Sequence, residues 1–254
     1  MVNQFFLFCR EQSIFTLGEA KEIIRQVLSA VEYLHTHWIV HRDLKSSNLL
    51  ISNRGIVQVA DFGLARRLGP KAEQLTPVVV TLWYRAPELL LSAKSYTSAI
   101  DMWSVGCILA ELLLGRPLLP GKTEIDQIDW IFRTFGFPDE ITWPGCNKLT
   151  GLSTFSASKY SSIPPAIYNL NAIFTKRNIN LSDAGYDFLL KCFAFDPKRR
   201  ISAKEALNHP FFKEQPLPKD SSQFPSWPSI KGAKEAKPNK IQRRQTPEAP
   251  HLRH

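Results

Sequence analysis

Three short segments in a fixed order constrain this chain more than any other feature of its sequence. His41-Arg42-Asp43 comes first and leads to Asn48, Asp61-Phe62-Gly63 follows, and Ala86-Pro87-Glu88 comes last. Short runs of β-forming residues separate the first two segments, which places both on loops at strand ends. The sequence therefore predicts a small β element whose loops carry the first two segments.

The rest of the pattern is mainly helical. Thr16-Leu17-Gly18-Glu19 forms a capping box, and the apolar residues that follow at helical spacing predict a helix ending near His37. Residues 98–114 are apolar nearly all round and predict a buried helix, whereas residues 66–85 show no period and indicate an extended loop. Further helices are predicted at 124–135, 182–195 and 202–208. The predicted fold class is therefore mainly α (α+β).

Length and charge suggest one domain followed by a tail. With 254 residues, 44% of them hydrophobic, the chain can bury one sizeable core, which we place at 1–212. Residues 213–254 read as a basic Pro/Lys-rich tail that is largely disordered. The net charge is +9, but residues 231–254 alone hold four Lys and three Arg against two acids. The globular part is only mildly basic, so nucleic-acid binding ranks last among the functions considered.

Cysteine usage and hydropathy predict an intracellular protein. The four cysteines, at positions 9, 107, 146 and 192, have no metal-ligand spacing, which favours a reducing compartment. The first ten residues lack the charged region and cleavage site of a signal peptide. The most apolar stretch, 107–120, is too short to cross a bilayer, so no membrane partner is expected.

The sequence resembles the protein kinases, and among them the cyclin-dependent kinases. Residues 41–48, His-Arg-Asp-Leu-Lys-Ser-Ser-Asn, match the kinase catalytic loop at every fixed position. The segments that carry the cyclin-dependent likeness are 61–66, 79–88 and 101–107. Residues 75–80 and 116–121 resemble the branch that contains the tenth and eleventh cyclin-dependent kinases (the PITSLRE-related branch). This resemblance implies a protein kinase-like C-terminal lobe and a location in the nucleus or cytoplasm.

The resemblance implies a phosphoryl-transfer site that uses ATP and Mg²⁺. Asp43 matches the residue that accepts the proton of the attacking hydroxyl, and Thr81 matches the threonine that hydrogen-bonds this aspartate and Lys45. Lys45 itself resembles the residue that meets the γ-phosphate in serine/threonine kinases. Asn48 and Asp61 match the Mg²⁺ ligands. The adenine floor is assigned to a strand residue, Leu50.

Further residues match positions that control or support the site in this family. Thr76 occupies the place of the activating phosphothreonine, and Arg42 and Arg66 match two arginines of its phosphate pocket. The wall that selects a proline after the target Ser or Thr is assigned to Val79, Val80 and Arg85. The resemblance also assigns structural roles to Glu88, Asp101 and Arg200.

The N-terminal half of a kinase domain does not stand out in the sequence. A glycine-rich loop and a strand lysine precede the catalytic loop in kinases. Here Gly18 is the first glycine, and Lys21, inside the predicted helix, is the only earlier lysine. We therefore expect the N-terminal β-rich lobe, including the cyclin-binding helix, to be absent. Little or no kinase activity is expected from these 254 residues.

Three functions follow, of different classes. The first is a cyclin-dependent type Ser/Thr kinase that transfers the ATP γ-phosphate to Ser/Thr followed by Pro, with protein substrates and, in the full-length family, a cyclin as partners. The second is a catalytically impaired truncated kinase that acts as a binding or regulatory module. The third is nucleic-acid binding through the basic tail. The retained Asp43, Lys45, Asn48 and Asp61 favour the first function, because a chain without catalysis has no chemical need for them.

Overall fold

The structure, a computed structural model, describes residues 2–4, 15–52, 54–68 and 81–224. The described helices are α1 Leu17–Thr36, α2 Pro87–Leu90, α3 Ala99–Leu114, α4 Glu124–Phe135, α5 Ala166–Thr175, α6 Asp183–Cys192 and α7 Ala203–Leu207. The described strands are β1 Val2–Gln4, β2 Ile39–Val40, β3 Leu49–Ser52, β4 Val57–Val59 and β5 Arg66–Arg67. The mainly helical class with a small β element is confirmed for these residues.

Helix α1 forms for the reason that its sequence indicates. The Thr16 side chain accepts a hydrogen bond from the Glu19 amide, and the Glu19 carboxylate accepts one from the Thr16 amide, so the predicted capping box is present. The apolar stripe of the helix, including Ile24 and Leu28, is fully buried in the core. The helix ends at Thr36, with His37 as its C-cap, where the hydrophobic period also ends.

Two small antiparallel sheets carry the loops of interest. One has the order β1-β3-β4, with Leu50 opposite Gln58, and the other pairs β2 with β5. Leu49 and Ile51 face the core, whereas Leu50 points to the opposite, half-exposed face of the sheet. An extended loop was expected at 66–85. The described part of this range contains one short strand, β5, and a 3₁₀ turn, Leu82–Tyr84.

Helix α3 is the centre of the lobe. Every residue from Ile100 to Leu114 is buried, as predicted from its apolar surface. A Cβ added at Gly106 would lie 2.9 Å from Cβ of Cys192, which lies on α6, so the absence of a side chain there permits close helix packing. Gly115 ends α3 with φ +67°, a left-handed conformation that glycine adopts at little cost. No helix in the described ranges is long and apolar enough to cross a membrane.

The segment 213–224, here called the C-terminal strap, packs back onto the start of α1. The amide of Lys219 donates to the Gly18 carbonyl at 2.9 Å, and its ammonium contacts the Glu19 carboxylate at 2.8 Å. Lys21 is fully buried and donates to the Glu214 carbonyl at 3.1 Å. These contacts differ from the disordered tail expected from residue 213 onward, because buried ionic and backbone partners fix a segment whose composition resembles a linker.

Two further differences concern helices and the tail. Helix α5, which the sequence reading does not include, follows Pro165 and buries Leu170 and Phe174. Phe224 is buried, whereas the proline- and lysine-rich residues 225–254 lie outside the described residues.

Candidate active site

Asp101, in the first turn of α3, holds the backbone that begins the catalytic loop. Its carboxylate accepts hydrogen bonds from the amides of His41 at 2.9 Å and Arg42 at 3.0 Å, and contacts His35 Nε2 at 2.9 Å. Arg42 has φ +70°, a conformation that costs a non-glycine residue roughly 1–3 kcal/mol. The buried carboxylate offsets this cost because it satisfies the two consecutive amides that the bend presents.

The structure brings Asp43, Lys45 and Asn48 together. The Lys45 ammonium donates to Asp43 Oδ2 at 2.8 Å, and the Asn48 side-chain amide donates to the same oxygen at 3.1 Å and to the Asp43 carbonyl at 2.9 Å. Asp43 and Asn48 are both 7% exposed, so their orientation is fixed by packing as well as by hydrogen bonds. Within the described residues no hydrogen bond reaches Asp43 Oδ1, which leaves this oxygen able to accept a proton.

A backbone hydrogen bond ties Ala60, the residue before Asp61, to the catalytic loop. The Ala60 amide donates to the Asn48 carbonyl at 2.9 Å, and His41 Nε2 contacts the Ala60 carbonyl at 3.1 Å. Asp61 is exposed, has φ +63°, and accepts a hydrogen bond from the Gly63 amide at 3.3 Å. The backbone position of Asp61 is therefore fixed relative to the catalytic loop.

The donor set suits a Mg²⁺ ion bound to phosphates. The Asn48 amide nitrogen is used by Asp43, which leaves the amide oxygen available as a ligand, and the exposed Asp61 carboxylate supplies a charged oxygen. No group of three or more His, Cys, Asp or Glu side chains that could hold a metal occurs in the described part of the chain. Mg²⁺ commonly takes one or two carboxylates plus substrate phosphates, so the residues fit it without such a group.

Thr81 lines a small cavity beside Asp43, and Leu50 lies on the strand that follows the catalytic loop. Thr81 is exposed and shares with Asp43, Arg85 and Ser104 the lining of a cavity of about 20 Å³, room for about one water. Its expected hydrogen bond to the aspartate is not among those made by the described residues. Leu50 lies on the half-exposed face of β3, where a flat apolar ligand could contact it.

The two arginines predicted to bind a phosphate lie near each other. Pairing of β2 with β5 sets Val40 opposite Arg66, two residues before Arg42. The Arg42 guanidinium lies 5.7 Å from the centre of the Tyr96 ring. Burial raises the pKa of Tyr96, and the positive charges of Arg42 and Arg66 oppose this rise. The predicted phosphosite, Thr76, lies outside the described residues.

Arg85 lies where the segment 81–86 meets α4. Its guanidinium contacts the Glu124 carboxylate at 2.6 Å, and the Arg85 side chain is only 9% exposed. The nearby Trp83 indole donates to the Gly121 carbonyl at 3.0 Å, which is a second attachment of the same segment near the start of α4. Val79 and Val80, the other two residues predicted for the proline-selecting wall, lie outside the described residues.

Glu88 and Arg200 form a buried bidentate ion pair. The Nη1–Oε1 distance is 2.7 Å and the Nη2–Oε2 distance is 2.9 Å, with the two side chains 2% and 0% exposed. Arg200 also donates to the carbonyls of Ala99, Ala194 and Phe195. The pair joins α2 to the loop after α6. None of the Arg200 hydrogen bonds among the described residues involves the cluster around Asp43.

Sequence reasoning missed a buried polar chain beside the site. Ser46 Oγ lies 3.0 Å from the Tyr84 hydroxyl, which donates to Glu111 at 2.6 Å. Burial raises the pKa of both Tyr84 and Glu111. His35, which contacts Asp101, was also missed. A glutamate in an otherwise apolar helix and a serine inside the catalytic loop were the available signals.

Comparisons with known proteins agree with the architecture. A model described as the protein kinase domain matches residues 1–212. Cyclin-dependent kinase 11B of Mus musculus is 51% identical over 215 residues, which cover 85% of this chain and 26% of that protein. The probable cyclin-dependent kinase 10 of Dictyostelium discoideum is 46% identical over 217 residues, which cover 85% of this chain and 57% of that protein.

A solved structure extends the likeness to three dimensions. In the CAK complex from Chaetomium thermophilum bound to ATP-gamma-S, one chain has a TM-score of 0.79 and 36% identity, covering 89% of this chain and 68% of that chain. The 254 residues span about a quarter of the mouse relative and just over half of the Dictyostelium relative. By the domain match and these identities, the chain belongs to the protein kinase family, within its cyclin-dependent branch of serine/threonine kinases.

Proposed function

We propose that this chain contributes the catalytic site of a kinase that transfers the γ-phosphate of ATP to a serine or threonine followed by proline. The observation that carries the proposal is the cluster in which Asp43 Oδ2 is held by Lys45 and Asn48 while Oδ1 faces no described donor. Phosphoryl transfer depends on positioning and charge neutralisation more than on covalent chemistry, and this cluster supplies both.

Each polar residue has one role in this proposal. Asp43 orients the substrate hydroxyl and accepts its proton, and Lys45 contacts the transferred phosphoryl group while it stays within 2.8 Å of Asp43. Asn48 and Asp61 would hold Mg²⁺, which when bound neutralises phosphate charge. Thr81 and Asp43 line the same small cavity, which supports a hydrogen bond from the Thr81 hydroxyl to this aspartate as its role.

Substrate choice and regulation rest on the segment before α2. Arg85, held by Glu124, supports a wall that accepts the ring of a proline. Val79 and Val80 complete this wall in the proposal. Phosphorylated Thr76 would draw Arg42 and Arg66 to its phosphate, and the pairing of Arg66 with Val40, two residues before Arg42, supports this role.

The nucleotide and the activating partner are proposed from the relatives. One related complex carries ATP-gamma-S, and Leu50 offers this chain an apolar floor for adenine. A cyclin is proposed as the partner because the relatives are named cyclin-dependent kinases. The glycine-rich loop, the strand lysine and the cyclin-binding helix are not recognisable before His41, so we propose that they are not supplied by residues 1–40.

This last point favours a second candidate function, a binding or regulatory module with impaired catalysis. It is favoured specifically by the absence of any glycine before Gly18, since the phosphate clamp of kinases is built from glycine backbone. The two candidates make opposite predictions for turnover by the 254 residues, although both allow substrate binding.

Turnover by the full 254-residue chain, with Mg-ATP and paired Ser-Pro and Ser-Ala peptides, tests the proposal. Kinase function predicts phosphorylation of the Ser-Pro peptide only, and a loss of about 10²–10⁴-fold in Asp43→Asn, which keeps the size and hydrogen bonds of the side chain. Asp139→Asn, at an exposed turn, is the matched control and should retain full activity. Peptide binding by calorimetry without turnover would instead support the binding module.

A further inference from the structure

A buried chain of hydrogen bonds joins the catalytic loop to the segment that precedes Arg85. Ser46, fully buried in the 3₁₀ turn Ser46–Asn48, lies 3.0 Å from the Tyr84 hydroxyl. That hydroxyl lies 2.6 Å from Glu111 Oε2, and Glu111 is 2% exposed. Three polar groups that meet in an otherwise apolar core are held in fixed positions by one another.

The direction of the hydrogen bonds follows from counting protons. Tyr84 has one hydroxyl proton, and the short contact assigns it to the Glu111 carboxylate. Ser46 then donates its own proton to the Tyr84 oxygen, its partner at 3.0 Å, and the same hydroxyl also helps to lower the pKa of the nearby Glu111. Replacing Ser46 removes the only donor in this pair, while the bond from Tyr84 to Glu111 can persist. The two ends of the chain can therefore be separated experimentally.

Helix α3 holds the catalytic loop at two points through this arrangement. Asp101 binds the amides of His41 and Arg42 directly, at the start of the loop. Glu111, ten residues or roughly 15 Å further along the helix, reaches the far end of the loop through Tyr84. Lys45 and Asp43 lie between these two attachments.

We propose that the Ser46 hydroxyl is a positioning group that couples the catalytic loop to the substrate-binding segment 82–85. This inference rests on the proposed kinase function for its consequence in catalysis, but not for the coupling itself. Tyr84 immediately precedes Arg85. The Tyr84 hydroxyl that aligns Ser46 therefore also fixes the position of Arg85 in the proposed wall, which faces the residue after the phosphorylated Ser or Thr. The coupling keeps the phosphoryl-transfer residues and the bound peptide in one register.

Amide hydrogen exchange in the full chain tests the coupling without any need for activity. In Ser46→Ala, amide exchange should rise about tenfold in both 44–48 and 82–85, since the hydrogen bond that joins these two segments is lost. Residues 183–192 should be unchanged. Ser29→Ala, which removes an exposed serine hydroxyl from α1, is the control and should alter neither segment. Faster exchange confined to 44–48, or no change at all, would overturn the coupling.

An isosteric pair separates the hydroxyl from the volume of the side chain. Ser46→Thr and Ser46→Val add the same volume at a buried position, but only threonine keeps a donor for Tyr84. Threonine should protect 44–48 and 82–85 better than valine; equal exchange in the two variants would show that the hydroxyl has no part. Tyr84→Phe should loosen the same two segments, and failure to do so would also count against the proposal.

Kinetics then connect the coupling to the reaction. Where the wild-type chain phosphorylates a Ser-Pro peptide, Ser46→Ala should lower kcat about tenfold and leave the KM for Mg-ATP unchanged, because Ser46, Tyr84 and Glu111 are buried away from any bound ligand. An unchanged kcat would overturn the catalytic part of the inference. Absence of turnover in the wild-type chain would count against the proposed function alone, since the exchange measurements stand independently.

Discussion

Replacing Arg200 with methionine should be among the most destabilising single changes in this chain. The substitution keeps a long unbranched side chain but removes a guanidinium that makes two bonds to Glu88 and three to backbone carbonyls. The Glu88 carboxylate, 2% exposed, would then be buried without a cation. The cost arises from this stranded charge more than from the lost attraction.

The magnitude follows from the burial of both partners. Breaking one side of a fully buried ion pair costs about 3–5 kcal/mol, a large share of the roughly 5–15 kcal/mol by which domains are stable. Removing both charges, in Arg200→Met with Glu88→Leu, should recover most of this loss of about 3–5 kcal/mol, because no unpaired carboxylate is left.

Urea unfolding followed by tryptophan fluorescence measures these differences. Arg133→Met is the matched control: Arg133 also pairs with a carboxylate, that of Asp129 at 2.7 Å, but its side chain is 59% exposed. This control should cost less than about 1 kcal/mol. A loss below 1 kcal/mol in Arg200→Met, or a double variant no more stable than the single one, would refute the reasoning.

Two further predictions concern the strap and the acid limit of stability. Gly55→Ala should lower the melting temperature, because a Cβ there would overlap the Ser221 carbonyl and because Gly55 has φ +71°. An unchanged melting temperature, with unchanged amide hydrogen exchange in the C-terminal strap, would contradict this. Burial alone would raise the pKa of Asp187, but hydrogen bonds from Lys191 and His209 hold this pKa below its ordinary value of 3.8. The ionised Asp187 therefore stabilises the folded chain above about pH 4, and this stabilisation is lost as the pH falls through the lower pKa of the folded state. Asp187→Asn should therefore melt below wild type at neutral pH, with a gap that narrows below about pH 4; a gap independent of pH would exclude this role.

The sequence predicted those parts of the fold that depend on local pattern. The capping box at Thr16 and the buried helix α3 are confirmed, because capping and hydrophobic period act over a few residues. Helix α5 was missed although Ile167, Leu170 and Phe174 follow a helical spacing after a proline. Its neighbours are serine- and proline-rich, which obscured a stripe of only three turns.

The site was predictable in its residue types but not in its supports. The catalytic-loop pattern indicated Asp43 and Asn48, and their geometry suits the role proposed for them. The link from Ser46 to Glu111 could not be predicted, because it joins residues 65 positions apart through a third residue, and no sequence period encodes such a meeting. The strap contacts were missed for the same reason.

The strap also affects how the lobe can assemble on the ribosome. Glu19 and Lys219 lie 200 positions apart in the chain, so at roughly 5–20 residues per second their synthesis is separated by about 10–40 seconds. During that interval the Lys21 ammonium has neither the Glu214 carbonyl nor the Phe211 ring that it contacts in the finished lobe. The start of α1 is therefore completed among the last steps of folding, which gives chaperones a defined period in which to bind the nascent chain.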